Sequence, residues 1–189
     1  MSCSIGPNTF LAVQNIIDAV ELKYQSQGHN TPEFQVFFND HALNDFNTLF
    51  SSLPPERKYY AAGVPGSFHS LLFPNASIHF VFSSYAVNCL SQVPNEVLDK
   101  SSPAWNRGST TQMLHPKFFE SYAAQYAKDI ECFLNARAQE VACGGLMAII
   151  VPCRPNGLPR SQDTIIDTLG SCLLDTAKKV IIHLLINFF

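Results

Sequence analysis

Charge is scarce in this chain. Only 14% of its 189 residues are Asp, Glu, Lys or Arg, well below the quarter or so that a globular protein usually carries. So little charge implies either much surface buried against something or a portion of a larger fold left out. Basic excess is absent too: the net charge is -3, which argues against a nucleic-acid partner. The six cysteines, Cys3, Cys89, Cys132, Cys143, Cys153 and Cys172, lie scattered with no CxxC pair among them. Neither a zinc site nor a disulfide framework is indicated, and a reducing, cytoplasmic setting is expected. The six histidines show no metal-ligand spacing. No basic stretch precedes an apolar one at the start, so no secretory signal is expected. The apolar stretch 180–189 is about half the length of a membrane span.

What remains is a globular composition, 47% hydrophobic and 12% aromatic, on a chain long enough for one real core. Pro7 opens a helix along which Phe10, Val13, Ile16, Ile17 and Val20 recur at helical spacing. Gly28 and Pro32 punctuate its end. The aromatic and β-branched run 34–38 suits a buried strand, ending in Asn39 and Asp40. A short helix over 45–53 and a strand over 59–64 follow, and then an apolar run at 77–82 of the kind found in buried parallel strands. Residues 91–108 read as loop. A long helix runs from Pro116 to about Ala142, with Phe119, Tyr122, Tyr126, Ile130, Phe133 and Ala136 on one face and Gly144-Gly145 as its cap. A strand at 146–152 and a helix at 161–179 close the pattern. Strands alternating with helices predict an α/β fold with a parallel sheet and right-handed crossovers.

Three strand ends carry small polar residues: Asn39-Asp40, Gly66-Ser67-Phe68 and Ser83-Ser84-Tyr85. Before the first helix lies Ser2-Cys3-Ser4-Ile5-Gly6-Pro7-Asn8, a small-residue turn that lets a ligand approach backbone amides. Ligands of open α/β sheets sit at the carboxyl ends of strands, and an acidic residue ending the second strand commonly holds ribose hydroxyls. Asp40 is therefore the candidate anchor of a nucleotide-like ligand, its alternative being an ordinary turn aspartate.

Several stretches resemble the plant SABATH methyltransferases. They are Cys3-Ser4-Ile5-Gly6-Pro7-Asn8-Thr9, Phe37-Phe38-Asn39-Asp40-His41-Ala42-Leu43-Asn44-Asp45-Phe46-Asn47, Gly63-Val64-Pro65-Gly66-Ser67-Phe68, Ser83-Ser84-Tyr85-Ala86-Val87-Asn88-Cys89 and Ala136-Arg137-Ala138-Gln139-Glu140. These enzymes use S-adenosylmethionine to esterify salicylate, benzoate, jasmonate and similar acids, or to N-methylate xanthines. The resemblance implies a Rossmann-like class I methyltransferase fold, with the first strand and the helical cap incomplete. On its terms 1–156 is a partial methyltransferase core, and 157–189 is the start of the cap with an abnormal apolar ending. It implies cofactor contacts at Cys3, Asn8, Asp40, His41, Ser67, Phe68, Ser83 and Ser84. Acceptor contacts would fall at Tyr85, Asn88 and Cys89, and a magnesium position at Asn106. No catalytic acid or base is assigned, because a carboxylic acid is already ionised at pH 7.

The sequence departs from that family where function is concentrated. Ser2 stands where a glycine is usual, His41 where leucine is usual and Phe82 where histidine is usual. Cys89 replaces a tryptophan whose indole N–H tethers the acceptor, and a thiol is a weak donor on a shorter side chain. Two functions are expected from this pattern. One is a carboxyl methyltransferase acting on a small plant acid, paired as a homodimer. The other is an inactive, truncated homologue that pairs with a full-length relative.

Overall fold

A computed structural model describes residues 1–105, 116–152, 172 and 175. The expected helix over 161–179 and the magnesium position Asn106 lie outside these residues, apart from Cys172 and Asp175, which are helical. The chain divides into two compact units: one of Met1–Cys89 with Lys128–Val151, the other of Leu90–Ala127 with Pro152–Phe189.

The first unit begins with helix α1, Pro7–Ser26, which has proline in its first turn, where the missing N–H costs nothing. Strand β1, Gln35–Asp40, follows. The six-residue helix α2, Phe46–Ser51, is capped by Asp45, whose carboxylate accepts the Thr48 N–H at 3.0 Å and its hydroxyl at 2.6 Å. Those bonds, the hydroxyl first, hold the Asp45 carboxyl below its ordinary pKa. Strand β2, Tyr60–Pro65, pairs in parallel with β1, from Gln35 opposite Tyr60 to Asp40 opposite Pro65. Strand β3, Ile78–Ser84, comes next. Beyond it lie the single turn α3, Asn95–Leu98, and helix α4, Pro116–Glu140. Strand β4, Val141–Ile150, pairs in parallel with β3. Among the described residues the strands form two separate two-stranded parallel sheets, β1-β2 and β3-β4.

The core of the β1 side gathers Cys3, Phe10, Ile17, Phe38, Leu49 and Tyr59. Phe38 is its hub, with the Phe10, Tyr59 and Phe50 rings at 5.9, 6.2 and 6.5 Å. Burying one such ring stabilises by about 1.5–3 kcal/mol. The period-3.6 face predicted for α1 holds at Phe10 and Ile17, both buried.

Two expectations are corrected. Gly144-Gly145 does not cap α4: the helix ends at Glu140 and β4 begins at the very next residue. Both glycines sit where the pairing is irregular, the partner of Ile78 being Val141 and that of Phe80 being Leu146. Gly145 is required there, since a Cβ would meet Val141 Cγ1 at 2.7 Å and the Ala142 and His79 carbonyls at 2.9 Å. The last helical carbonyls are satisfied from outside the helix, by Ala76 N–H on Gln139 at 2.8 Å and Ser77 N–H on Glu140 at 2.9 Å. The second correction concerns the inner face of α4. Phe133 and Ala136 are buried as predicted, but Phe119 and Tyr126 are exposed, and the charged residues Asp129, Arg137 and Glu140 are buried.

The second unit contains α3 and the loop around Trp105. Gln125 ties to Ser91 Oγ at 3.3 Å and accepts from Gln92 at 3.4 Å, and the Phe118 and Tyr122 rings pack 4.8 Å apart at a tilt of 48°. No described helix is long and apolar enough to cross a membrane.

Candidate functional site

The segment before α1 folds onto the carboxyl end of β1. Ser2 and Ser4 both adopt left-handed backbone, at φ 54°. Between them Cys3 donates its N–H to the Asn39 carbonyl at 3.0 Å. Left-handed conformations at non-glycine residues cost of order 1–3 kcal/mol each and persist only where neighbours enforce them. Asp40 is the enforcing neighbour: its Oδ2 accepts the Ser4 N–H at 2.6 Å, and its Oδ1 accepts the His41 N–H at 2.7 Å. A carboxylate has about four acceptor positions. Two are taken here, which leaves a pair that suits a vicinal diol. The strand reaches two residues further than its apolar run predicts, so Asp40 is the last residue of β1. His41 is exposed just after it, its Nδ1 accepting the Leu43 N–H at 3.3 Å. Asn8 is exposed in the first turn of α1.

Cys3 is the buried member of this turn. Burial, and then the Asp40 charge, push its thiol up to about 11. At pH 8 it is therefore protonated, and the thiol is a poor nucleophile. Cys89 is exposed. Brief iodoacetamide treatment at pH 8 is expected to alkylate Cys89 and spare Cys3. Equal modification of both in a peptide mass map would contradict this reading.

The end of β2 is tied to that of β1. Asn39, 1% exposed, donates from Nδ2 to the Val64 carbonyl at 2.9 Å and the Gly66 carbonyl at 3.0 Å. Gly66 follows at φ 150°. Ser67 is exposed, its hydroxyl accepting the His69 N–H at 3.3 Å. Phe68 is half-buried, its ring 4.4 Å from that of His69 and 6.0 Å, edge-on, from that of Phe133.

At the end of β3, Ser83 is fully buried, and its hydroxyl finds no partner among the described residues. An orphaned buried hydroxyl costs about 1–3 kcal/mol, so it marks a point where a polar ligand group is wanted. Ser84 is half-buried. Tyr85 has φ 57° and a 63% exposed ring, while its N–H is anchored on the Ile150 carbonyl at 2.8 Å. A bulky residue at positive φ is a genuine outlier. Ala86 and Val87 are buried and pin the following turn, leaving Asn88 and Cys89 exposed. The three strand ends singled out from the sequence, with Cys3, thus lie within one unit.

Two side chains of the neighbourhood were not legible as functional. Arg137 and Glu140 of α4 have side chains only 1% and 0% exposed and are joined Nε to Oε2 at 2.8 Å. The available signal was an Arg and a Glu three apart on the apolar stripe of a helix. Among the described residues no group of three or more His, Cys, Asp or Glu is placed to hold a metal ion.

Residues 1–184 match the family described as SAM dependent carboxyl methyltransferase, and the chain belongs to that family. Its relatives include loganic acid O-methyltransferase of Catharanthus roseus, 50% identical over 186 residues that cover 96% of this chain and 50% of that protein. Farnesoic acid carboxyl-O-methyltransferase of Arabidopsis thaliana is 45% identical over 184 residues, covering 95% of this chain and 53% of that protein. A solved structure described as loganic acid methyltransferase with SAH aligns with a TM-score of 0.88 at 48% identity, over 96% of this chain and 52% of that one. The α/β fold is that of this S-adenosylmethionine-dependent family. The chain spans about half the length of the relatives it matches.

Proposed function

We propose that this chain carries the cofactor-binding core of an S-adenosylmethionine-dependent methyltransferase whose acceptor is the carboxylate of a small plant acid. The observation that carries the reading is Asp40 at the carboxyl end of β1, with two acceptor positions unused beside the small-residue turn in which Ser4 is exposed. The residues fit the cofactor on their own chemistry. Asp40 takes the ribose hydroxyls, with His41 alongside. Ser67 and Phe68 border the adenine. Cys3 and Asn8 flank the methionine end, and the unsatisfied hydroxyl of Ser83, with Ser84, faces polar groups of the ligand. The bound cofactor supplies a methyl group already activated as a sulfonium. The protein then needs alignment rather than an acid or base, because the acceptor carboxylate is ionised at pH 7. Tyr85, Asn88 and Cys89 line the acceptor side.

A relative acting on loganic acid and another on farnesoic acid support a carboxylate acceptor. A magnesium ion enters this reading only through Asn106, and no step depends on it. The reading also includes a cytoplasmic site of action, in keeping with six cysteines scattered through the sequence with no CxxC pair. It includes pairing with a second copy or a full-length relative, supported by the two-stranded sheets, whose strands lack further neighbours among the described residues.

Asp40→Ala is expected to weaken S-adenosylhomocysteine binding by about 1.5–3 kcal/mol, the worth of a charge-assisted hydrogen bond. Titration calorimetry giving equal affinities for Asp40→Ala and the parent would sink the assignment.

A further inference from the structure

The stretch from Gly66 to Phe73 has no regular secondary structure, yet its backbone is held at four points by two side chains of α4. The Arg137 guanidinium donates from Nη1 to the Phe68 carbonyl at 2.9 Å and from Nη2 to the Ser70 carbonyl at 2.8 Å. Glu140 Oε1 accepts the N–H groups of Leu72 and Phe73, the latter at 3.0 Å. The two side chains are themselves locked together, Nε to Oε2 at 2.8 Å and Nη2 to Oε1 at 3.0 Å. The guanidinium also lies 5.4 Å from the centre of the Phe133 ring, the ring against which Phe68 packs edge-on.

A buried ion pair is a poor device for stability alone, since apolar residues of similar volume usually serve as well or better. What an apolar pair cannot do is hold two carbonyls and two amides of an irregular segment at set positions. The planar guanidinium fork is suited to that task, because its donors point in fixed directions. We infer that Arg137 and Glu140 are positioning residues for the cofactor site. They hold the Gly66–Phe73 segment in its binding shape before any ligand arrives, and so set the place of Ser67 and Phe68. The inference rests on the proposed role of Ser67 and Phe68 beside the adenine. Neither Arg137 nor Glu140 touches the ligand in this scheme. Their effect is that the ordering of eight backbone residues is already accomplished when the ligand binds.

The test uses the 189-residue chain with Arg137→Lys, which keeps the charge but loses the fork, and the double variant Arg137→Met/Glu140→Leu, which replaces the pair by apolar volume. Thermal melts, amide hydrogen exchange at Leu72 and Phe73 without ligand, and calorimetry with S-adenosylhomocysteine are read in parallel. Both variants are expected to melt cooperatively, to lose protection at Leu72 and Phe73, and to bind S-adenosylhomocysteine about tenfold more weakly or worse. Parental affinity in cooperatively folded variants overturns the inference. Loss of the cooperative melt in both variants overturns it too, because the pair is then a requirement of the fold. If the parent itself binds no S-adenosylhomocysteine, the proposed function fails, and hydrogen exchange alone decides the clamp. Lost protection confined to the segment then upholds it, and unchanged protection refutes it.

Discussion

Purified protein of these 189 residues is expected to transfer no measurable methyl group from S-adenosylmethionine to salicylate, benzoate or jasmonate. Catalysis of this kind is nearly all alignment, and a misplacement of about 1 Å can cost on the order of a hundredfold. Among the described residues nothing encloses the groups assigned to the acceptor: the Tyr85 ring is 63% exposed, and Asn88 and Cys89 stand on the surface of their turn. An acceptor carboxylate held at such exposed groups stays hydrated, and hydration works against its alignment. Cys89 adds a second loss, since its thiol cannot stand in for an indole N–H. The 189 residues span about half the length of the relatives they match. Cys89→Trp alone is expected to leave the chain inactive, because one restored donor does not enclose the acceptor. A radiolabelled methyl-transfer assay decides the matter, and clear turnover with any of the three acids would refute the expectation.

Glu140→Ala is the substitution expected to destabilise the fold most. It strands the Arg137 guanidinium, which is buried with its side chain 1% exposed, and removes the acceptor of the Leu72 and Phe73 amides. Removing one partner of a buried pair typically costs about 3–5 kcal/mol. In a chain of this size each kcal/mol moves the melting temperature by roughly 2–4 °C, so a fall of about 10 °C is expected by circular dichroism. Glu140→Gln keeps one carbonyl acceptor for those amides and should fall between parent and alanine. A Glu140→Ala protein melting within about 2 °C of the parent would show that the pair carries none of this weight.

Much of this fold was legible in the residues, and for identifiable reasons. The apolar runs at 34–38 and 77–82 mark β1 and β3 because strand burial is a local pattern, and Pro7 and Pro116 mark helix starts by removing a donor that has no partner there. The strand-end residues Asp40, Ser67 and Ser83 stood out by chemistry, small polar groups closing apolar strands. The junction of α4 and β4 did not. Gly144-Gly145 looks like a helix cap in sequence, and only the crowding of Gly145 against Val141 and His79 reveals an irregular strand instead.

The sequence by itself determined the succession of elements and the identity of the groups at the strand ends, since periodicity, turn residues and side-chain chemistry act over a few residues. The tertiary structure decided how those groups are held. The Asp40 carboxylate fastens a left-handed turn 36 residues away, and the Arg137–Glu140 pair fastens a segment 67 to 69 residues away. An Arg and a Glu on a helix face ordinarily lie in water, where a pair is worth little. Here their value comes from burial and from four backbone partners, none of which any local window of sequence contains.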